Sequence, residues 1–127
     1  MNSSKILIID SNKKDLDFLA ALLSGEGYRV SCTNNGYEGI KKTGEEEFGL
    51  IITDLALSDI KGEALFSQLK KKARKKKTPI LVLSEQDETE AIEELFQQGV
   101  DDYIVKPPRI SYLIKRVESL VSGVSPN

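Results

Sequence analysis

Four apolar runs of strand length each end in a polar residue, and helical patterns separate these runs along the chain. In an open parallel sheet the carboxyl ends of the strands meet at one edge, and ligands bind in the crevice beside it. Two carboxylates, a hydroxyl and an ammonium are therefore predicted to converge on one small site. Such a set suits an anion together with a divalent cation, as at a phosphoryl site. The four runs end at Asp10, Asp54, Ser84 and Lys106.

The alternation of strand and helix patterns predicts an α/β fold with five βα units and a parallel sheet that is covered on both faces. All 127 residues are assigned to one domain. Its core is expected at about 5–121, and the small polar tail at 122–127 is expected to be frayed or to begin a linker. The predicted strands lie at about 5–9, 29–33, 49–54, 79–84 and 102–105, and four of the predicted helices lie at about 12–26, 37–46, 87–98 and 110–121. The remaining helix follows Gly62, is marked by Ala64, Leu65 and Leu69, and trails into the basic run at 70–77.

Composition argues against several classes of protein. A formal net charge of -2 gives no reason to expect a dedicated nucleic-acid or membrane surface. Cys32 is the one cysteine, so an internal disulfide or a cysteine cluster for zinc is excluded. Histidine is absent, which removes the commonest general base. With no membrane-length apolar run and no signal-peptide pattern, the protein is expected to be cytoplasmic.

The order and spacing of Asp10, Asp54, Ser84 and Lys106-Pro107 resemble those of the response-regulator receiver domain, over about 5–121. That family has an acidic pair after the first strand, a phosphorylated aspartate after the third, Thr or Ser after the fourth and Lys-Pro after the fifth. The segment Gly-Val-Asp-Asp-Tyr-Ile-Val-Lys-Pro at 99–107 is very close to the family's version, and Gly62 also matches. The resemblance implies a flavodoxin-like, doubly wound sheet of strand order 2-1-3-4-5.

The resemblance also implies roles for the residues at the sheet edge. Asp54 would be the phosphoacceptor, because a carboxylate can attack a phosphoryl group to give an acyl phosphate. Lys106 would offer a positive charge to the phosphoryl oxygens. Ser84 would offer a hydroxyl donor, and Tyr103 would be the switch aromatic that turns inward when Ser84 moves. The peptide bond before Pro107 is expected to be cis, as in the family.

A magnesium ion is the cofactor that the resemblance implies. Its protein ligands would be the carboxylates of Asp10 and Asp54 and the backbone carbonyl of Ala56, since Mg²⁺ prefers hard oxygen donors. Ser11, however, stands where the family has its second acid. The loss of one carboxylate predicts weaker binding, by on the order of 1–3 kcal/mol.

Three further positions depart from the family pattern. Glu85 replaces the small residue that usually follows the hydroxyl, and its charge could repel an incoming phosphoryl group or partly cover the site. Ser58 stands where the loop after the acceptor usually has proline, so that loop loses a fixed φ angle. Pro108 replaces the common phenylalanine. Together with Ser11 they suggest a degenerate or slowly phosphorylated receiver.

Three functions remain in competition. The first is a phosphoacceptor receiver that takes its phosphoryl group from a histidine kinase or a phosphotransfer protein, and that catalyses only its own phosphorylation and dephosphorylation. The alternative is a pseudo-receiver, a protein-interaction module that works without phosphorylation. Ser11 and Glu85 favour that alternative, and the retained Asp54, Ser84 and Lys106 oppose it. A flavin- or nucleotide-binding enzyme is disfavoured, because the loop at 11–15 has no glycine for close phosphate approach.

Charged segments suggest where partners could bind. The basic run at 70–77 is interpreted as a helix end followed by a solvated loop, since it lacks the aromatics expected of a nucleic-acid surface. Acidic residues cluster around the fourth helix, from Glu85 to Glu94. The last helix carries cations, and the opposite charges predict a homodimer through the fourth and fifth helices. These cations are Arg109, Lys115 and Arg116.

Overall fold

The computed structural model describes residues 4–123, except for the side chains of residues 74–76. Five strands alternate with five helices along this part of the chain. The predicted frayed tail lies outside the described residues from 124 onward, whereas Ser122 ends the last helix and Gly123 caps it. The strands are β1 (Lys5–Ile9), β2 (Arg29–Thr33), β3 (Leu50–Thr53), β4 (Ile80–Ser84) and β5 (Asp102–Val105), and the helices are α1 (Lys13–Gly25), α2 (Gly36–Glu45), α3 (Gly62–Lys76), α4 (Thr89–Gln97) and α5 (Ile110–Ser122).

All five strands pair in parallel, in the order β2-β1-β3-β4-β5. The predicted fold class and strand order are confirmed. Ile9 at the end of β1 lies opposite Thr53 at the end of β3, so these two strands finish level with each other. The next amides continue this alignment, since the N–H of Asp54 donates to the carbonyl of Ile9. Sheet register therefore brings the residues that follow β1 and β3 side by side.

Alternate residues of the strands build two cores, one on each face of the sheet. On one face Ile8, Ile52 and Leu83 pack with buried residues of α1 and α5. On the other face Leu7 and Ile51 pack in the same cluster as buried residues of α3 and α4. Because both faces are covered, β1, β3 and β4 are nearly continuous apolar runs rather than alternating ones. The continuous apolar runs in the sequence have this physical origin.

Helix α3 extends through most of the basic run. The basic run was predicted to include a solvated loop, but α3 continues to Lys76. Leu69 and Ala73 are buried one turn apart and extend the apolar stripe of the helix into that run. Lys70 is half-buried and donates to the carbonyl of Gly99 at 3.0 Å. The first part of the basic run is therefore tied to the fold rather than free in solvent.

No helix among residues 4–123 is long and apolar enough to cross a membrane. Cys32 lies exposed on the edge strand β2, where it acts as an ordinary strand residue. The peptide bond between Lys106 and Pro107 is cis, as the resemblance implies.

Helix α2 approaches the sheet closely at Gly39. A Cβ atom at this position would lie 2.4 Å from Ile9 Cδ1 and 2.8 Å from Ile9 Cγ1. We expect Gly39→Ala to lower the free energy of unfolding by about 1–2 kcal/mol, because overpacking outweighs the gain in helix propensity. Denaturant unfolding measures this change.

Gly25→Ala is the matched control for this prediction. A Cβ at Gly25 would meet no described atom within 4 Å. Its stability should stay unchanged or rise by up to about 1 kcal/mol, because alanine is the better helix former. Equal losses in the two variants would contradict the close approach of α2 to Ile9.

Candidate functional site

Residues that follow β1, β3 and β5 meet at the carboxyl edge of the sheet. The Nζ atom of Lys106 lies 2.8 Å from Asp10 Oδ2 and 2.6 Å from Asp54 Oδ2. All three side chains are nearly enclosed: the exposed fractions are 9% for Lys106, 2% for Asp10 and 8% for Asp54. The structure thus brings together three of the four residues at which the apolar runs end.

A third carboxylate joins this cluster and was missed in the sequence. Asp15 Oδ2 lies 2.8 Å from Lys106 Nζ, and the Asp15 side chain is 42% exposed. Asp15 occupies the first turn of α1, and its N–H donates to the side chain of the N-cap residue Asn12. An acid three residues after an N-cap asparagine predicts only a favourable helix start. The partner, Lys106 after β5, is distant in sequence, so the local pattern gave no signal for this contact.

Asp54 is held at both carboxylate oxygens. The backbone amides of Leu55 and Ala56 donate to Oδ1 at 2.6 and 3.1 Å, while Lys106 holds Oδ2. Burial alone would raise the pKa of Asp54, but the hydrogen bond from Lys106 and the two amides outweigh it and lower the pKa. Asp54 is therefore an ionised and oriented carboxylate at neutral pH.

The two buried acids differ in their protonation behaviour. Burial raises the pKa of Asp10, and hydrogen bonds from Lys106 and a backbone amide offset it only in part. The neighbouring charge of Asp54 adds to the increase. Burial alone would lower the pKa of Lys106, but its hydrogen bonds to Asp10, Asp15 and Asp54 raise it. The lysine is thus a permanent cation between acids that repel each other.

Ser84 and Tyr103 lie beside this cluster on β4 and β5. Ser84 is buried, and its Oγ accepts a hydrogen bond from the N–H of Gln86 at 3.3 Å. Tyr103 is partly buried, and its hydroxyl donates to the carbonyl of Gln86 at 2.6 Å. Burial raises the pKa of Tyr103, while a hydrogen bond with the Ser84 side chain opposes that shift. Both side chains are therefore anchored to the same short loop after β4.

Ser11 contacts the carbonyl that was expected to bind a metal ion. Its Oγ donates to the carbonyl of Ala56 at 3.1 Å. The carboxylates of Asp10 and Asp54 and this carbonyl are hard oxygen donors of the kind that Mg²⁺ prefers. Residues 4–123 contain no group of three or more Asp, Glu, His or Cys side chains arranged to hold a metal. The donor set thus fits magnesium chemically, but with few protein ligands, and all three groups already have protein partners.

The loop after Asp54 is anchored in a way that the sequence did not predict. Ser58 was expected to leave this loop without the fixed φ angle of a proline. The next residue, Asp59, accepts hydrogen bonds from the N–H groups of Gly36 and Tyr37, each at 2.9 Å. These bonds lower the pKa of Asp59 and tie the loop to the start of α2. Asp59 thus supplies a restraint where proline is missing.

Glu85 lies exposed at the rim of the site. It lines a cavity of about 370 Å³ together with Asp15, Lys106 and apolar residues that include Phe18 and Ile110. An anion that enters from this side would pass two carboxylates before it reaches Lys106. The rim is therefore electrostatically unfavourable for anions, although the lysine itself attracts them.

Comparison with known proteins identifies relatives of this chain. A family model described as the response regulator receiver domain matches residues 6–118. The transcriptional regulatory protein ResD of Bacillus subtilis is 33% identical over 124 residues, which cover 98% of this chain and 50% of ResD. The chain thus spans about half the length of that curated relative.

Solved structures show the same architecture. The receiver domain of the Francisella response regulator 1452 is 29% identical, with a TM-score of 0.87 and coverage of 95% of this chain and 98% of that one. The receiver domain of the sensor histidine kinase PA1611 from Pseudomonas aeruginosa is 21% identical, with a TM-score of 0.84 and coverage of 95% and 99%. That second structure holds a magnesium ion in its active-site cleft, and at this identity the likeness shows the fold alone.

Proposed function

Because the chain belongs to the response-regulator receiver family of two-component systems, we propose that it is a phosphoacceptor whose acceptor is Asp54. One observation carries the proposal: Asp54 is a nearly buried carboxylate with a lowered pKa, held 2.6 Å from a lysine ammonium. An ionised, oriented carboxylate beside a fixed cation is suited to attack a phosphoryl group.

The proposed reaction moves one phosphoryl group. A carboxylate oxygen of Asp54 forms a bond to phosphorus while the bond from phosphorus to the donor breaks, and the leaving group keeps that electron pair. Charge spreads over three phosphoryl oxygens, so catalysis depends on position and on electrostatic stabilisation. Lys106 supplies the stabilising cation, and the amides of Leu55 and Ala56 keep the carboxylate oriented. The domain catalyses only its own phosphorylation and dephosphorylation and does not turn over a separate substrate.

Magnesium is the proposed cofactor, and it would add positive charge at the phosphoryl oxygens when bound. Asp10, Asp54 and the carbonyl of Ala56 would hold it. Ser11 supports weak binding, because its hydroxyl competes for that carbonyl and replaces a carboxylate. A phosphoryl group on Asp54 would then bias Ser84 and Tyr103, whose shared attachment to Gln86 links the site to the face formed by α4 and β5.

A pseudo-receiver that binds partners without phosphorylation is the second candidate. The observation in its favour is that the potential ligands of the site already satisfy each other, since Ser11 holds the Ala56 carbonyl and Lys106 holds the acids. A site whose groups are all paired with each other could remain in the unphosphorylated state. The lowered pKa of Asp54 favours the phosphoacceptor, because a nucleophile must be ionised.

The proposed donor is a histidine kinase or a phosphotransfer protein. A homodimer through α4 and α5 remains a prediction, and the charges on α5 are fewer than the sequence suggested. Arg116 is mostly buried and forms an ion pair with Asp102 of its own chain. Arg109 and Lys115 are the exposed cations that could face the acids of a second α4.

Asp54→Asn should abolish phosphorylation, because an amide cannot attack phosphorus. Incubation with acetyl phosphate and Mg²⁺ followed by intact-mass measurement should show one added phosphate in the wild type and none in the variant. Asp87→Asn, an exposed acid, is the control that should still take the label. A label that persists in Asp54→Asn would assign the acceptor elsewhere.

Ser11→Asp should strengthen Mg²⁺ binding, because it adds a carboxylate beside the Ala56 carbonyl and removes the competing hydroxyl. The expected gain is roughly ten- to a hundredfold in affinity. A metal titration of both proteins measures it. Ser58→Asp, which adds the same charge at an exposed position of the loop after β3, should gain much less. Equal affinities of wild type and Ser11→Asp would show that position 11 is not at the ion.

Glu85→Ala should speed labelling. A charge about 6 Å from a dianionic donor costs on the order of 1–2 kcal/mol per unit charge at an intermediate dielectric constant, which is roughly tenfold in rate. The gain should be larger at low salt, since screening is then weaker. Labelling rates at two salt concentrations test this, with Glu93→Ala on α4 as the control. A rate that is independent of Glu85 at both concentrations would mean that its side chain faces away from the donor.

A further inference from the structure

The Lys106 ammonium has no hydrogen-bond donor to spare in the unphosphorylated protein. A lysine carries three N–H donors. Three carboxylate oxygens, from Asp10, Asp15 and Asp54, lie 2.8, 2.8 and 2.6 Å from Nζ. A phosphoryl group that approaches Asp54, while Asp54 is still a carboxylate, can therefore gain this ammonium only if one of the three carboxylates gives it up.

The three partners differ in how easily they can leave. Asp10 and Asp54 are nearly buried, so removal of their cation would leave a charge without solvent, which is costly. The Asp15 side chain is 42% exposed, and water can take the place of the lysine there. Of the three, the contact with Asp15 is the one that can break at low cost.

Backbone hydrogen bonds at the start of α1 hold Asp15 in place. Asn12 links the two acids of this segment: its N–H donates to Asp10 Oδ1 at 2.9 Å, and its side chain accepts from the N–H of Asp15 at 3.0 Å. Side chains in a helix lean toward its N-terminus, which directs this carboxylate toward the sheet edge. The start of α1 is thereby coupled to Lys106, which follows β5 at the same edge of the sheet.

We propose that Asp15 is a positioning residue, which holds the Lys106 ammonium before phosphorylation and yields it to an oxygen of the incoming phosphoryl group. This role rests on the proposed function of Asp54. Asp15 competes with the phosphoryl group for one N–H of the lysine, and it thereby slows phosphorylation and restrains α1 in the unphosphorylated state. When the contact breaks, the first turn of α1 loses its tie to β5.

Two measurements on the full chain test the proposal. In the first, Asp15→Asn should be labelled by acetyl phosphate about three- to tenfold faster than the wild type, because the competing charge is gone. Asp15→Glu, which keeps the charge, should restore the slow rate. Asp17→Asn is the matched control, since Asp17 lies on the same helix, is exposed and pairs with Lys13. It should label at the wild-type rate.

The second measurement follows the ¹⁵N resonance of the Lys106 side-chain ammonium. Before phosphorylation, Asp15→Asn should shift this signal, while Asp17→Asn should not. After phosphorylation, the signals of wild type and Asp15→Asn should coincide, because the phosphoryl oxygens then hold the lysine donors that Asp15 and the former Asp54 carboxylate have given up. Glu85→Ala serves as the repulsion control, which should alter the rate but not the resonance of the unphosphorylated state.

The outcomes separate this proposal from the one on which it rests. If the wild type is labelled but Asp15→Asn is not faster, or if the phosphorylated signals still differ, the competition is refuted and Asp54 remains the acceptor. If the wild type takes no label, the proposed function itself fails, and the release of Lys106 by Asp15 fails with it. A faster Asp15→Asn with coincident phosphorylated signals would establish the role.

Discussion

The ammonium of Lys106 is the interaction on which the geometry of the site depends. It joins residues that follow β1 and β3 to the end of β5, and it lies between two carboxylates that are nearly excluded from water. Like charges in such surroundings repel strongly, and the cation between them makes their burial tolerable. The same contact lowers the pKa of Asp54, so one lysine both allows the acid to be buried and keeps it ionised.

Lys106 can reach both buried acids because the register of the sheet brings the ends of the strands together. The ends of β1 and β3 are level, and the N–H of Lys106 donates to the carbonyl of Ser84 at 2.8 Å. The polar residues that follow these strands therefore lie at the same edge of the sheet. Shifting one strand by a residue would turn its apolar side chains to the wrong face, which both cores oppose. Packing far from the site thus fixes the positions of its charges.

The first loop shows how acidic charge is distributed around this lysine. Ser11 replaces an acid of the family pattern and bonds the Ala56 carbonyl, while Asp15 places a carboxylate on Lys106 from the first turn of α1. The number of acids at the lysine is therefore three, although the acidic pair is incomplete. Compared with the family pattern, a carboxylate is missing beside the Ala56 carbonyl, and the carboxylate of Asp15 lies at the outer rim of the site. In this distribution the Ala56 carbonyl contacts a hydroxyl, and the lysine contacts an additional carboxylate.

Strand pattern and strand ends are local features, and they were sufficient to predict the parallel sheet and the edge at which Asp10, Asp54 and Lys106 meet. The strand order was predicted only from the resemblance to the receiver family. Burial on both faces imposes a nearly continuous apolar run on a strand, so such a strand can be recognised from the amino-acid sequence alone. Asp15, Asp59 and the partner of Ser11 were not predictable in this way. Each bonds a residue that is more than twenty positions away. Side chains of these types are also common at helix starts and turns, so the sequence is compatible with several local roles for each residue. Only the tertiary packing determines which partner each side chain contacts.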